Sequence, residues 1–371
     1  MTLRLIEGFD WLPTTADNAT FQALMGQSHY YFASSILSDP ATWDINTTTA
    51  FSYGNSLRVN YTDAQYDTLN QLYYPVGPLD EGYMGYRILV QPDHTGWLGM
   101  TFYDAVSGGN QISIVCRPNG MIYVYRGAPF SGTLLITSDP GSFYMGSWFY
   151  LEAYVKIHDT AGEVQVRVNT KVVIDLIASD TNATGRPYFD MVGMRGRNSS
   201  GSAAWVENQY FDDMYFCDTA GTVNNGYLGN VRVKTQFTTA DGDNIDFLIG
   251  GSAPAATNWQ SVQNTSLNLT KLVYSPTVGD YDLYEIDPNV NAPYVHAIQV
   301  RTGARQDDAT QRVLHNLLKT PAGTLIEPGT DFYLNQTVSV HRDIIEINPD
   351  TATFFTGTEA NGTQAGFKVD A

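Results

Sequence analysis

Apolar and polar residues alternate with a period of two along much of the chain. In Phe149-Tyr150-Leu151-Glu152-Ala153-Tyr154-Val155-Lys156-Ile157 the odd positions are apolar and the even ones amphipathic or charged. Glu163-Val164-Gln165-Val166-Arg167-Val168-Asn169 alternates without a break, and His158-Asp159-Thr160-Ala161-Gly162 lies between the two as a turn. This predicts a β-hairpin with one buried face, followed by a third strand over Val172–Leu176. Comparable segments recur at Met84–Val90, Leu98–Tyr103, Gln111–Arg117, Met121–Tyr125, Thr133–Thr137, Phe189–Gly193 and Phe211–Cys217. Turns such as Pro118-Asn119-Gly120, Asp139-Pro140-Gly141 and Ser107-Gly108-Gly109-Asn110 separate them. Many short strands with Gly, Pro and Asn turns predict a β-sandwich or jelly roll. Two segments have helical potential. Thr62–Tyr73 carries few apolar residues at helical spacing, and Asp307–Leu318 reads equally as a strand plus a turn.

The polar, Gly- and Asn-rich segment Asp218–Tyr227 breaks the pattern. A second β-rich set follows: Gly229–Phe237, Leu269–Tyr274, Tyr281–Ile286, Val295–Thr302, Val313–Leu318, Val338–His341 and Gly366–Val369. The fold class is therefore all-β, two β-sandwich (jelly-roll) domains in tandem, over 1–220 and, smaller, 221–371.

Composition narrows the functions such a fold could serve. The 371 residues are 43% apolar and 13% aromatic, with 33 Gly, so each domain can bury a core. Only 16% are charged, and the formal net charge is −18. So acidic a chain repels phosphate backbones, which argues against a nucleic-acid partner. There is no apolar run of roughly 18 residues, so membrane insertion is not expected, and the start Met1–Gly8 lacks the apolar core of a signal peptide. Cys116 and Cys217 form no disulfide framework and read as two buried thiols or one pair. The Asn-x-Ser/Thr sequons, at Asn18, Asn60, Asn182 and Asn264 among others, follow from an Asn- and Thr-rich composition.

Candidate chemistry is sparse. The six histidines, at 29, 94, 158, 296, 315 and 341, show no metal-binding spacing and read as turn or surface residues. No Gly-x-Ser-x-Gly elbow or phosphate-binding loop occurs. Sandwich glycosidases need two carboxyls on one strand face, yet Glu152, Glu163 and Glu207 stand apart from other acids at such spacing. The expectation is a non-enzymatic protein with no catalytic residue and no cofactor. Calcium is the one cation to consider, at Phe211-Asp212-Asp213-Met214-Tyr215 or at Asp241-Gly242-Asp243-Asn244-Ile245-Asp246. The second run lacks the bidentate Glu of an EF-hand loop. Trp11, Tyr30, Tyr31, Trp43, Tyr73, Tyr74, Trp97 and Trp148 fall on loops and strand edges. Among them Tyr30, Tyr31, Trp43 and Trp97 are the candidate interface aromatics.

Several motifs, in order, resemble one family. Ile6-Glu7-Gly8-Phe9-Asp10 resembles the Ile-Asp-Gly-Phe-Asp start common in tailed-phage virion proteins, with Glu7 in place of Asp. The hairpin from Trp148 to Asn169 is similar to the centre of their concanavalin A-like, laminin G-like domain, and Phe211–Tyr215 to its closing strand. Asn225-Gly226-Tyr227-Leu228-Gly229-Asn230-Val231-Arg232-Val233 resembles the junction into their second β domain, and Asn258–Val262 and Gly366–Val369 fit that domain. The resemblance implies a bacteriophage virion structural protein, tail-associated as a fibre, tip or baseplate periphery. Its partners would be other virion proteins, further copies of itself (a trimer fits particle symmetry) and a host-surface carbohydrate. It would be assembled in the host cytoplasm and lie outside the cell on the mature particle. The alternative is a capsid decoration or cement protein, and a further one is a polysaccharide-degrading enzyme.

Overall fold

The computed structural model describes residues 2–12, 25–26, 28, 31–32, 43–51, 54–61, 69–92, 97–197, 207–263, 270–307, 310–329 and 331–370. The protein is all-β. It divides into two compact units, Thr2–Val233 and the chain from Lys234 onward.

The first unit is a jelly-roll sandwich of two antiparallel sheets. One sheet runs, in spatial order, Lys171–Ser179, Gly162–Val168, Trp148–Lys156, Glu81–Val90, Glu207–Cys217, Ser56–Tyr61 and Trp43–Asn46, with Leu3–Glu7 also paired to Glu207–Cys217. The other runs Thr133–Thr137, Ile122–Arg126, Gly109–Cys116, Trp97–Asp104, Phe189–Arg197, Leu69–Leu79 and Tyr31–Phe32. The predicted hairpin forms, with Val155 opposite Val164 and Leu151 opposite Val168. Strand Gly162–Val168 alternates strictly, its valines buried and Glu163, Gln165 and Arg167 part-exposed, which is the one-faced pattern of a sandwich strand. Between the sheets lie Met84, Tyr86, Ile88, Met100, Phe102, Ile112, Ile114, Val192 and Phe211, all nearly inaccessible. Phe189 and Phe216 meet edge to face across the sheets at 6.1 Å. Cys116 and Cys217 lie on different sheets as buried thiols with no disulfide between them, and burial pushes the Cys116 thiol up. The Thr62–Tyr73 segment is not helical where it is described: Leu69–Leu79 is a strand, and 62–68 lies outside the described residues.

The segment 226–233 departs from expectation. Alternation at Gly229-Asn230-Val231-Arg232-Val233 predicts a strand, but the chain runs as an irregular strap over the outer face of the eight-stranded sheet. Its backbone groups bond to side chains instead of to a neighbouring strand. The Gly229 N–H donates to Glu152 (2.9 Å), the Val231 carbonyl accepts from Arg87 (3.3 Å), and the Val233 N–H donates to Asp213 (2.7 Å). Tyr227 sits under the Arg167 guanidinium (3.6 Å), and its hydroxyl lies between Tyr154 N (3.1 Å) and Gln165 O (2.9 Å). The strap therefore belongs to the first unit, which continues past the polar break at Asp218–Tyr227.

The second unit is built on a sheet ordered Thr238–Ile245, Tyr281–Ile286, Gln364–Val369, Val313–Lys319 and Leu325–Ile326, with Phe332–Tyr333 also paired to Val313–Lys319. Two-stranded ribbons form from Leu248–Gly250 with Leu272–Tyr274 and from Ile298–Ala304 with Ser339–Ile345. One core gathers Phe247, Tyr284, Leu314, Leu334, Phe367 and Val369; another joins Val300 and Ile345 of the longer ribbon to Leu318 and Phe355. Asp307–Leu318 resolves as strand Val313–Lys319 rather than helix. Short helices occur at Asn258–Val262 and Gly357–Asn361, the latter closed by a Thr356–Glu359 capping box.

Two histidines expected at turns or the surface are instead buried in strands of this unit. His341 lies 2.7 Å from Asp343 and stacks on Phe332. His315 places Nδ1 2.8 Å from Glu327 and Nε2 3.0 Å from Asp331, while Lys368 bonds both Glu327 and Asp370 beside it and Tyr333 bonds Asp331. A neutral imidazole donates through one nitrogen only, so a doubly protonated ring suits both contacts. Burial opposes that charge, but the two carboxylates outweigh it and raise the pKa above its ordinary 6.5. The stabilisation is thus complete below pH 6.5 and fades as pH rises through the raised value. Melting temperature should fall over that interval in the wild type and lose this component in His315→Gln; identical pH slopes would refute it.

Candidate functional site

In the seven-stranded sheet, one set of alternate residues enters the core, so the other set forms the opposite face. Strand register aligns Gln71, Arg195, Gly99, Val115 and Tyr123 in one row, and Tyr73, Gly193, Thr101, Ser113 and Tyr125 in the next. Gly193 is required here, because a Cβ would stand 2.3 Å from the Leu72 carbonyl and 2.8 Å from the Tyr73 ring.

The polar groups of this face interlock. With the Gln71 amide oriented to satisfy both neighbours, its oxygen accepts from Arg195 Nε (3.0 Å) and Nη2 (3.2 Å) and its nitrogen donates to the Tyr73 hydroxyl. Tyr73 packs on Tyr103 at 4.7 Å, and the Arg195 guanidinium lies over Trp97 at 5.3 Å. Trp97 meets Phe130 at 5.7 Å, Tyr125 meets Phe130 at 5.5 Å, and Arg117 covers both Tyr123 (5.4 Å) and Phe130 (5.0 Å). Burial grades along this chain of contacts. Tyr73, Arg195 and Trp97 are buried, Tyr123 is half-buried, and Phe130 is 43% exposed. Burial drives the Tyr73 phenol up more strongly than Arg195 draws it down, so it is a neutral hydroxyl and not a base at neutral pH.

Phe130 is held in place by its loop. It adopts φ 64°, a left-handed conformation that bulky residues rarely take. Gly132 N bonds Ala128 O (2.8 Å) and Gly127 N bonds Gln111 O (2.9 Å), so the loop is closed on itself and tied to the sheet. Asn119 donates to the Tyr123 hydroxyl (3.0 Å). The loop bearing Tyr144, 75% exposed, is joined to the same turn by Ser142 N to Gly120 O (2.9 Å). The two aligned rows contain no Asp or Glu; Asp190, at the start of strand Phe189–Arg197, accepts from Ala105 N (2.7 Å).

The singled-out acids lie elsewhere. Glu152 is buried on the outer face of the eight-stranded sheet, accepting from Tyr215 (2.6 Å) and Gly229; burial raises it, and those hydrogen bonds oppose the rise. Glu163 pairs with Lys156 at 3.7 Å, and the Glu207 side chain lies outside the described residues. Neither calcium candidate assembles an oxygen cage. Asp213 is neutralised by Arg87 at 2.7 Å, and burial, then the charges of Asp213 and Asp10, push Asp212 up to about 9. In the other run, which is strand rather than loop, Asp241 accepts from Trp259 N (2.8 Å), Asp243 pairs with Lys319, and Asp246 accepts from Asn244 (2.7 Å). The His315, Glu327 and Asp370 ligand atoms lie within 4.8 Å of one another, but the Lys368 ammonium already binds both carboxylates.

The interface aromatics do not form one patch. Tyr30 lies outside the described residues. The backbone of Tyr31 pairs with Tyr73 at the edge of the seven-stranded sheet, while that of Trp43 pairs with Val59 in the other sheet. Trp97 is 3% exposed, inside the face rather than at its surface. Among the described residues the exposed rings include Phe130, Tyr144, Tyr274, Tyr294 and Tyr333. Sequence reading passed over Phe130, whose only signal is its place in the turn Gly127-Ala128-Pro129-Phe130-Ser131-Gly132. It also passed over Arg87, a lone cation inside the apolar strand Glu81–Val90.

No protein-family model matches the chain, and no curated protein matches it in sequence. Among solved structures it is similar to the cellulose induced protein Cip1, at 15% identity and a TM-score of 0.41, over 57% of this chain and 96% of that one. It is also similar to a laminarinase from Flavobacterium sp. UMI-01, at 10% identity and TM-score 0.40, over 58% and 100%. The lectin UEA-II, complexed with galactose, is similar at 13% identity and TM-score 0.35, over 58% and 99%.

Proposed function

We propose that the chain is a non-enzymatic structural protein of a tailed-phage virion, carried on the tail, that attaches to a host-surface glycan through the Phe130 rim of its first unit. The observation that carries the attachment is the rim itself: an exposed ring fixed by a closed loop, flanked by Tyr123 and Arg117. A pre-ordered aromatic beside a guanidinium can stack on a sugar face and bond its hydroxyls with little ordering cost. Attachment is favoured over cleavage. Hydrolysis calls for two carboxyls about 5–9.5 Å apart, and elimination calls for a base, which the raised Tyr73 phenol does not supply. The virion address rests on the ordered motifs from Ile6 to Val369, and the partners would be other virion proteins and copies of this chain.

Binding of purified host-surface polysaccharide, followed by calorimetry, should weaken about tenfold in Phe130→Ala. Unchanged affinity in Phe130→Ala and Tyr123→Ala would remove the rim, and released sugar ends would convert the reading to an enzyme. Immunogold labelling should mark tails. Label on the head at hundreds of copies per particle would favour capsid decoration.

A further inference from the structure

The second unit has an opening of its own, independent of the Phe130 rim. A cavity of about 430 Å³ is lined by Pro254, Trp259, Gln260, Gln263, Thr270 and Lys271, together with Ala255. Small-molecule sites span roughly 300–1,000 Å³, so the space suits a sugar residue or two. The indole is the fixed wall. Trp259 packs on the Phe247–Tyr284–Phe367 core, its backbone N–H donates to Asp241 (2.8 Å), and its backbone carbonyl accepts from Thr238 (3.1 Å). The helix that bears it is pinned by Asn258, which donates to the Phe247 carbonyl (2.8 Å) and to Asp282 (3.0 Å).

Three of the other lining side chains are polar and uncommitted. The side chains of Gln260, Gln263 and Lys271 make no hydrogen bond or ion pair with any described residue. In a chain of net charge −18, an unpaired ammonium beside two open carboxamides, with no acid in the lining, is set to receive one negative charge. A carboxamide offers both a donor and an acceptor, which matches neighbouring hydroxyls. An indole face takes the apolar side of a pyranose ring.

We infer that this cavity is a binding site for a carboxylated sugar, a hexuronate unit of an acidic polysaccharide, with the ring on Trp259, hydroxyls on Gln260 and Gln263, and the carboxylate on Lys271. The test titrates the full chain with a hexuronate trisaccharide and with its carboxyl-reduced counterpart, reading tryptophan fluorescence at low salt. The uronate should give a saturable change and bind at least fivefold more tightly than the reduced sugar. Lys271→Gln, at an exposed position, should keep the wild-type melting temperature and abolish that preference. Trp259→Phe should remove the fluorescence change, and Phe130→Ala should leave it intact. No saturable change, equal affinity for the two sugars, or an unaltered preference in Lys271→Gln would overturn the site. Loss of the signal in Phe130→Ala would reassign it to the first unit.

Discussion

Arg87→Met should destabilise the first unit by about 3–5 kcal/mol and lower its thermal midpoint by roughly 6–20 °C. Arg87 is 6% exposed, on the face of the eight-stranded sheet under the strap. Its guanidinium bonds Asp213 (2.7 Å) and the Val231 carbonyl, and lies over the rings of Phe51 (3.7 Å) and Tyr150 (5.1 Å). Methionine fills much of the stem volume but leaves the Asp213 carboxylate buried without its hydrogen-bonded cation, with only the longer-range charge of Arg232. Asp213→Asn is the control. Asparagine keeps an oxygen for Val233 N and tolerates the left-handed backbone at φ 52°. The double variant Arg87→Met with Asp213→Asn should therefore recover most of the loss, because the stranded charge is gone. Calorimetry of the full chain measures all three. An Arg87→Met transition within about 1 kcal/mol of wild type would show that the pair contributes little.

That ion pair marks where sequence reading stops. Strict alternation made the first unit legible: Trp148–Lys156, Gly162–Val168 and Thr133–Thr137 lie at or within one residue of the segments the pattern predicts. The same rule misassigned Gly229–Val233, because alternation states which residues are apolar and not what their backbone bonds to. There the partners are Glu152, Arg87 and Asp213, distant in sequence and unremarkable one at a time. The face of the seven-stranded sheet was hidden for a related reason. Its outer rows mix large buried rings such as Tyr73, Trp97 and Tyr125 with Gln71, Arg195, Thr101 and Ser113, so alternation marks the core side but not which outer residues meet. Only register brings Gln71, Arg195 and Tyr123 into one row. The histidines misled through spacing, since His315 finds its carboxylates on segments 12 and 16 residues away.

The counterpart in the second unit is Asp282, fully buried in strand Tyr281–Ile286. Its carboxylate accepts from Asp246 N (2.7 Å), Phe247 N (2.9 Å), Asn258 Nδ2 (3.0 Å) and the Tyr284 hydroxyl. One side chain thereby ties together the turn after Thr238–Ile245, the helix that carries Trp259, and strand Tyr281–Ile286. Asp282→Ala should cost about 3–5 kcal/mol, since it leaves several buried donors unmet at about 1–3 kcal/mol each and the turn can relax only in part. Asp282→Asn should fall between the two, because its amide nitrogen must face Asn258 and Tyr284 where an acceptor stood. The loss should also be local. Hydrogen exchange should quicken across 246–262 in Asp282→Ala while strand Gly162–Val168 of the first unit keeps its protection. Uniform quickening over both units would show that they unfold as one body, and unchanged exchange at 246–262 would show that Asp282 does not hold the Trp259 helix.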